Sequence, residues 1–173
     1  MKTWRLCSSL WVPRPPAEVF PFFADAGNLE LLTPRWLSFA VLTPRPIPMA
    51  VGTLIDYRIA VRGVPMRWRT RIVRWQPDHA FADEQVRGPY AVWHHTHTFT
   101  PSDGGTVLGD DVVMRPKGGP LAGLLMALFV RRDVHRIFEH RATVLAERFG
   151  ARRDEGDVRW VDTEPVRAAA GAP

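Results

Sequence analysis

Three of the chain's six histidines fall within the seven residues Trp93-His94-His95-Thr96-His97-Thr98-Phe99. Imidazoles at this density can ligate a metal, move protons near neutral pH, or serve as polar groups in a pocket wall. Direction decides among these uses. On a β-strand, Trp93, His95, His97 and Phe99 share one face, and His94, Thr96 and Thr98 the other. The aromatic face is the one expected to turn inward, which leaves His94 at the surface. His95 and His97 then sit about 6.6 Å apart at their Cα atoms. Two such imidazoles can chelate one ion, with Asp83 on the neighbouring strand as the best third ligand. No second HxH, HxxxH or cysteine cluster accompanies them, so no metal and no cofactor are expected. Paired with Asp83 or Tyr57, either imidazole can act as an acid or base. Candidate catalytic residues are therefore His95, His97 and Asp83. The plainest use is as hydrogen-bonding groups that orient a ligand in a mostly apolar cavity.

Other reactive patterns are sparse. Phe81, Asp83 and Gln85 share a strand face, and an inward Asp83 has to meet a histidine, an arginine or water. Asp110-Asp111 can send only one carboxylate inward, because adjacent strand residues point oppositely. Arg67, Arg69 and Arg71 form a basic stripe, expected on a solvent face with acidic partners across the strands. No nucleic-acid motif accompanies it, so no nucleic-acid partner is expected. There is no GxSxG, phosphate-binding loop or dinucleotide fingerprint.

The elements that must position these residues follow from periodicity. Residues 3–12 read as a strand ended by Pro13, Pro15 and Pro16. Two short helices follow, the first burying Val19, Phe20 and Phe23, the second near Asn28–Leu32. Trp36 and Phe39 come next and are candidates for a cavity mouth. From there to Met114 the chain alternates in strands broken by Gly63, Pro77-Asp78, Gly88-Pro89 and Asp103-Gly104-Gly105. Val64, Met66, Trp68, Thr70 and Ile72 against Arg67, Arg69 and Arg71 make the clearest period-two signal. Gly118-Gly119-Pro120, a pliable hinge, opens one long helix over residues 121–149. Leu121, Leu124, Leu125, Leu128, Val134, Ile137, Phe138, Val144, Leu145 and Phe149 are read as its buried stripe. Hairpin-length connections imply an antiparallel sheet. The fold class is therefore α+β, about seven strands curved around one long C-terminal helix.

With 46% hydrophobic residues, 173 residues suit one domain with a sizeable core. Residues 1–150 are taken as that domain and 151–173, which lack apolar periodicity, as a flexible tail. The single cysteine, Cys7, and the lack of an apolar stretch near the N-terminus point to a cytoplasmic location. The net charge of +5 is carried almost wholly by arginine, a bias that GC-rich coding also produces. Pro120–Val130 as a helix is roughly 16 Å long against roughly 30 Å of hydrocarbon. It cannot span a bilayer, though contact with a membrane surface stays open, as does the oligomeric state.

The segments Pro16–Phe20, Asn28–Pro34, Gly63–Trp68, Phe81–Gln85, Gly88–Tyr90 and Trp93–Phe99 carry a resemblance. The sequence from about residue 3 to 149 resembles a bacterial ligand-binding or cyclase/dehydrase-like subgroup of the SRPBCC superfamily. That superfamily joins START domains, birch-pollen allergens and polyketide cyclases in the helix-grip fold. The resemblance implies a hydrophobic cavity for a lipid, a polyketide or another small apolar molecule, without naming one reaction. The walls expected are Tyr57, Ile59, Trp68, Trp93, Phe99, Leu125 and Phe129, with Leu128 nearby. The polar groups expected among them are Asp83, Gln85, His95 and His97. Binding of such a ligand is the expected function, and a polyketide-type cyclase or dehydratase using a cavity histidine the alternative.

Overall fold

A computed structural model of the chain describes residues 2–151 and 156–161. Strand β1 (Trp4–Val12) leads into helix α1 (Pro16–Ala24), which tolerates Pro21 because it is only nine residues long. Helix α2 (Leu29–Leu32) follows between two 3-10 turns. Then come β2 (Ala40–Val41), β3 (Leu54–Val61), β4 (Val64–Gln76), β5 (Ala80–Arg87), β6 (Tyr90–Ser102) and β7 (Gly105–Pro116). A helical rod closes the main body: α3 (Ala122–Leu125), a wide π turn (Met126–Val130) and α4 (Arg131–Phe149).

All pairings in the sheet are antiparallel, in the order β2-β3-β4-β5-β6-β7-β1-β8. Strand β8 (Gly156–Val161) lies along β1. This corrects the reading of residues 151–173 as a flexible tail: residues 156–161 pair with the open edge of β1, and residues 162–173 lie outside the described part. The two-residue turns after β3 and β6 have both central residues at positive φ, Arg62-Gly63 and Asp103-Gly104. That geometry matches the twist of the flanking strands and sets the register of both hairpins. The arginine stripe of β4 faces solvent, and its acids lie across the strands: Arg69 pairs with Asp56 at 2.8 Å and Arg71 with Glu84.

The core has a phenylalanine-rich end, where Phe20 and Phe99 (centroids 5.2 Å apart) pack with Leu108 and Leu145 between α1, the sheet and α4. In α1, Phe22 is buried with Val19 and Phe20, while Phe23 is only partly so. The helical rod corrects another expectation. Its buried residues are Ala122, Met126, Val134, Phe138, Arg141, Leu145 and Ala146. Leu121, Leu124 and Leu128 are 62%, 56% and 56% exposed. The step from Leu128 to Val134 is six residues, a turn of about 240°, so the two sets cannot share a face. What reads as one stripe is two: one set packs on the sheet, the other faces solvent.

Candidate ligand cavity

Strand alternation and register build the site row by row. Cross-strand pairing sets Ser8, Asp110, His97 and Phe81 side by side on β1, β7, β6 and β5. The next row runs Leu6, Val112, His95, Asp83 and Ile72 from β1 to β4. Both rows face the helical rod. His95 and His97 are buried, while His94 and Thr96 are partly exposed on the other face. The two imidazole rings lie 3.8 Å apart, and His97 stacks on Phe81 at 4.0 Å.

Asp110 is the hub of this cluster. Its Oδ1 accepts from His95 Nε2 at 2.8 Å and lies 2.9 Å from His97 Nδ1. Ser8 Oγ donates to its Oδ2 at 2.8 Å. Arg141 comes down from α4, with Nη2 3.6 Å from Asp110 Oδ1 and 3.2 Å from His97 Nδ1. A guanidinium only donates, so His97 Nδ1 cannot accept from Arg141 and donate to Asp110 at once. A lone pair facing a carboxylate at 2.9 Å would be repelled, which assigns the Nδ1 proton to His97. Both imidazoles then donate to Asp110. The Arg141 guanidinium also lies over Phe23 and Phe138, at 5.5 and 6.0 Å, and its Nε has no hydrogen-bond partner.

The charges follow from burial. Burial pushes the Asp110 carboxyl up, but Arg141 and the imidazole donors outweigh it and hold it well below the usual carboxylate range. For His95, burial and the adjacent His97 lower the imidazole to about 4 against the pull of Asp110. His95 is therefore neutral at pH 7, and Asp110 and Arg141 balance each other as a buried ion pair.

Between the sheet and α4 this cluster opens on a cavity of about 380 Å³. Tyr57, Ile59, Trp68, Trp93 and Phe129 line it, with Asp83, His95 and His97. Trp68 and Trp93 meet edge to face at 5.0 Å. Trp36 and Phe39 also line it, and Trp36 is 37% exposed at the rim. Asp83 Oδ2 stands 3.7 Å from His97 Nε2, beyond direct hydrogen-bond reach.

Three residues expected as walls are not. Phe99 is core, packed on Phe20 and Phe23. Gln85 turns its amide to the backbone of Tyr90, donating to its carbonyl at 2.6 Å and accepting from its N–H at 3.2 Å, which ties the β5–β6 turn. Leu125 is half-buried, stands near Gly118 and does not line the cavity. Of Asp110 and Asp111, expected to send one carboxylate inward, Asp110 is the inward one and Asp111 pairs with Arg5; Arg141 and Ser8 were not among the expected site residues. Arg141 did carry a signal: it stands three residues after Phe138 and four before Leu145, within the buried stripe.

Asp83, His95 and His97 offer ligand atoms within 4.8 Å of one another, a donor set able to hold a divalent ion. The Arg141 guanidinium beside His97 sets a positive charge against a second cation there, and both imidazoles are already tied to Asp110.

Residues 12–140 match the family model described as polyketide cyclase / dehydrase and lipid transport. The chain is 25% identical over 150 residues to Toxin Rv0910 of Mycobacterium tuberculosis, covering 82% of this chain and 98% of that protein. Among solved structures it resembles TTHA0849 of Thermus thermophilus (TM-score 0.63, 18% identity, 83% of this chain and 98% of that one). It also resembles the di-domain ARO/CYC StfQ of the steffimycin biosynthetic pathway (TM-score 0.61, 16% identity), covering 86% of this chain and 52% of that one. The allergen structure Ara h 8.0201 superposes at TM-score 0.55 with 18% identity, over 84% of this chain and 99% of that one. These likenesses establish a shared fold, the helix grip. Among the described residues, no helix is long and apolar enough to cross a membrane.

Proposed function

The chain belongs to the polyketide cyclase / dehydrase and lipid transport family, and from that premise we propose that it binds one small, largely apolar molecule carrying a hydroxyl group. An aromatic polyketide or a phenolic lipid fits this description. The observation that carries the reading is the cavity's polarity: aromatic and aliphatic walls end in a cluster that presents acceptors. His95 spends its N–H on Asp110 and, neutral, keeps one lone pair, Asp83 adds a carboxylate, and the Arg141 guanidinium is turned to Asp110 and His97. A ligand hydroxyl supplies the missing donor. A hydrocarbon leaves these acceptors without partners. Burying about 200 Å² of flat apolar ligand contributes about 5 kcal/mol before ordering costs.

The expected outcome is that a hydroxylated aromatic binds about tenfold more tightly than its hydrocarbon counterpart of equal size, roughly one hydrogen bond's worth. Calorimetric titration of matched pairs measures this, repeated with His95→Phe and His97→Phe. Equal affinity in the wild type, or an unchanged preference in both variants, sinks the assignment.

A specific observation also favours catalysis by the same site. An imidazole oriented by a buried carboxylate is the arrangement of a general base. His97 Nε2 can take an α-proton from a poly-ketone chain. The carbanion then attacks a second carbonyl within the cavity, and loss of water completes an aldol ring closure. Solvent deuterium exchange into a bound aryl 1,3-diketone, lost in His97→Phe, supports this. Tight binding with no exchange leaves a carrier.

A further inference from the structure

Among the described residues, nothing covers the outer stripe of the helical rod. Leu121, Leu124 and Leu128 are spaced three and four residues apart and so share one face, and Phe129, 40% exposed, adjoins them. The Phe129 ring lies under the Arg62 guanidinium at 4.6 Å, which brings the tip of the β3–β4 hairpin, with Val64 60% exposed, to the same rim. Phe129 and Arg62 also line the cavity. The patch therefore borders its mouth.

The surrounding charge has one sign. Lys117 stands exposed before the leucines, Arg131 and Arg132 exposed after them, and the sequence has no acidic residue between Asp111 and Asp133. Asp133 itself is engaged by Arg62 at 3.1 Å. An apolar stripe rimmed by cations is the pattern of a helix lying in a lipid interface, apolar side chains among the acyl chains and basic ones among anionic headgroups. Two copies stacked through this face would bring like charges together with no acid in the segment to meet them. From Gly119 to Val130 a helix is roughly 18 Å long against roughly 30 Å of hydrocarbon, so it lies on the bilayer rather than crossing it.

We infer that this face docks the protein on an anionic lipid surface, with the cavity mouth against the bilayer. The inference does not depend on what the cavity holds. Co-sedimentation of the full chain with phosphatidylcholine vesicles, with and without phosphatidylserine, tests it. Binding to the anionic vesicles is expected, falling about tenfold or more in Leu124→Asp/Leu128→Asp and in Lys117→Glu/Arg132→Glu. None of these four side chains lines the cavity, so titration with the cavity ligand reports separately on folding and on the interior site. Equal partitioning onto neutral and anionic vesicles, no binding to either, or variants that bind like wild type overturns the inference. So does self-association in light scattering that Leu128→Asp abolishes, which assigns the face to a second copy.

Discussion

Replacing Arg141 with methionine is expected to destabilise the fold by about 3–5 kcal/mol, the range for removing one partner of a buried ion pair. Methionine keeps most of the volume between Phe23 and Phe138, so packing changes little. What is lost is the cation. Asp110 remains with its side chain only 10% exposed, held among the described residues by the two imidazoles and the Ser8 hydroxyl. Urea unfolding at pH 7 measures the loss. Adding Asp110→Asn to Arg141→Met is expected to recover much of it, because the uncompensated buried charge goes with the carboxylate. The coupling between the two substitutions is the diagnostic. A loss below about 1 kcal/mol for Arg141→Met would mean that water reaches the pair and that the polar end of the cavity is not dry.

Stability is expected to fall by about 3 kcal/mol between pH 6.5 and pH 4, with His95 as the main source. In the folded chain its imidazole is lowered to about 4, first by burial and then by His97. In the unfolded chain it titrates near the ordinary histidine value. Over that window the unfolded state binds more protons than the folded one, so acid favours unfolding. The stability is fully present above the unfolded value and is lost as pH falls towards the folded one. Asp110, also lowered, adds its own loss only at more acidic pH, below the ordinary carboxylate range. His95→Gln is expected to flatten the slope between pH 6.5 and 4 while leaving the steeper acid limb. Parallel urea titrations across this range decide it, and an unchanged slope in the variant would move the assignment away from His95.

The strands were legible because alternation is a local property. Met66, Trp68, Thr70 and Ile72 against Arg67, Arg69 and Arg71 announce β4 without any knowledge of its neighbours. The same arithmetic separates His95 and His97 from His94. The hub of the site was not legible in that way. Asp110 joins the histidines only because β7 pairs with β6 in a register that sets it opposite His97. Register depends on a hairpin turn and on which of Asp110 and Asp111 faces inward. Arg141 was hidden by its chemistry: a search for apolar residues passes over a guanidinium even at a buried helical position. The leucines of residues 121–128 misled for the opposite reason. They are apolar but out of phase with Val134 and Phe138, and only their angular positions, not their hydrophobicity, reveal that they face outward. Phe99 and Gln85 share strand faces with cavity residues. Whether such a position becomes wall, core or turn depends on where along the strand the covering helices sit, which periodicity does not carry.

The place of β1 between β7 and β8 governs how this protein is made. β1 ends at Val12, and the first residue to pair with it is Thr106; its other neighbour begins only at Gly156. A ribosome therefore releases Leu6, Leu10 and Val12, all buried in the finished fold, long before either bordering strand exists. The hairpins from β3 to β7 can zip up in order as they emerge, but the first strand has to wait until residues 106–114 are made. Closure of the sheet is then a late, long-range event, the slow kind of step in chain folding. During that wait Leu6, Leu10 and Val12 lack the strand they will be buried against.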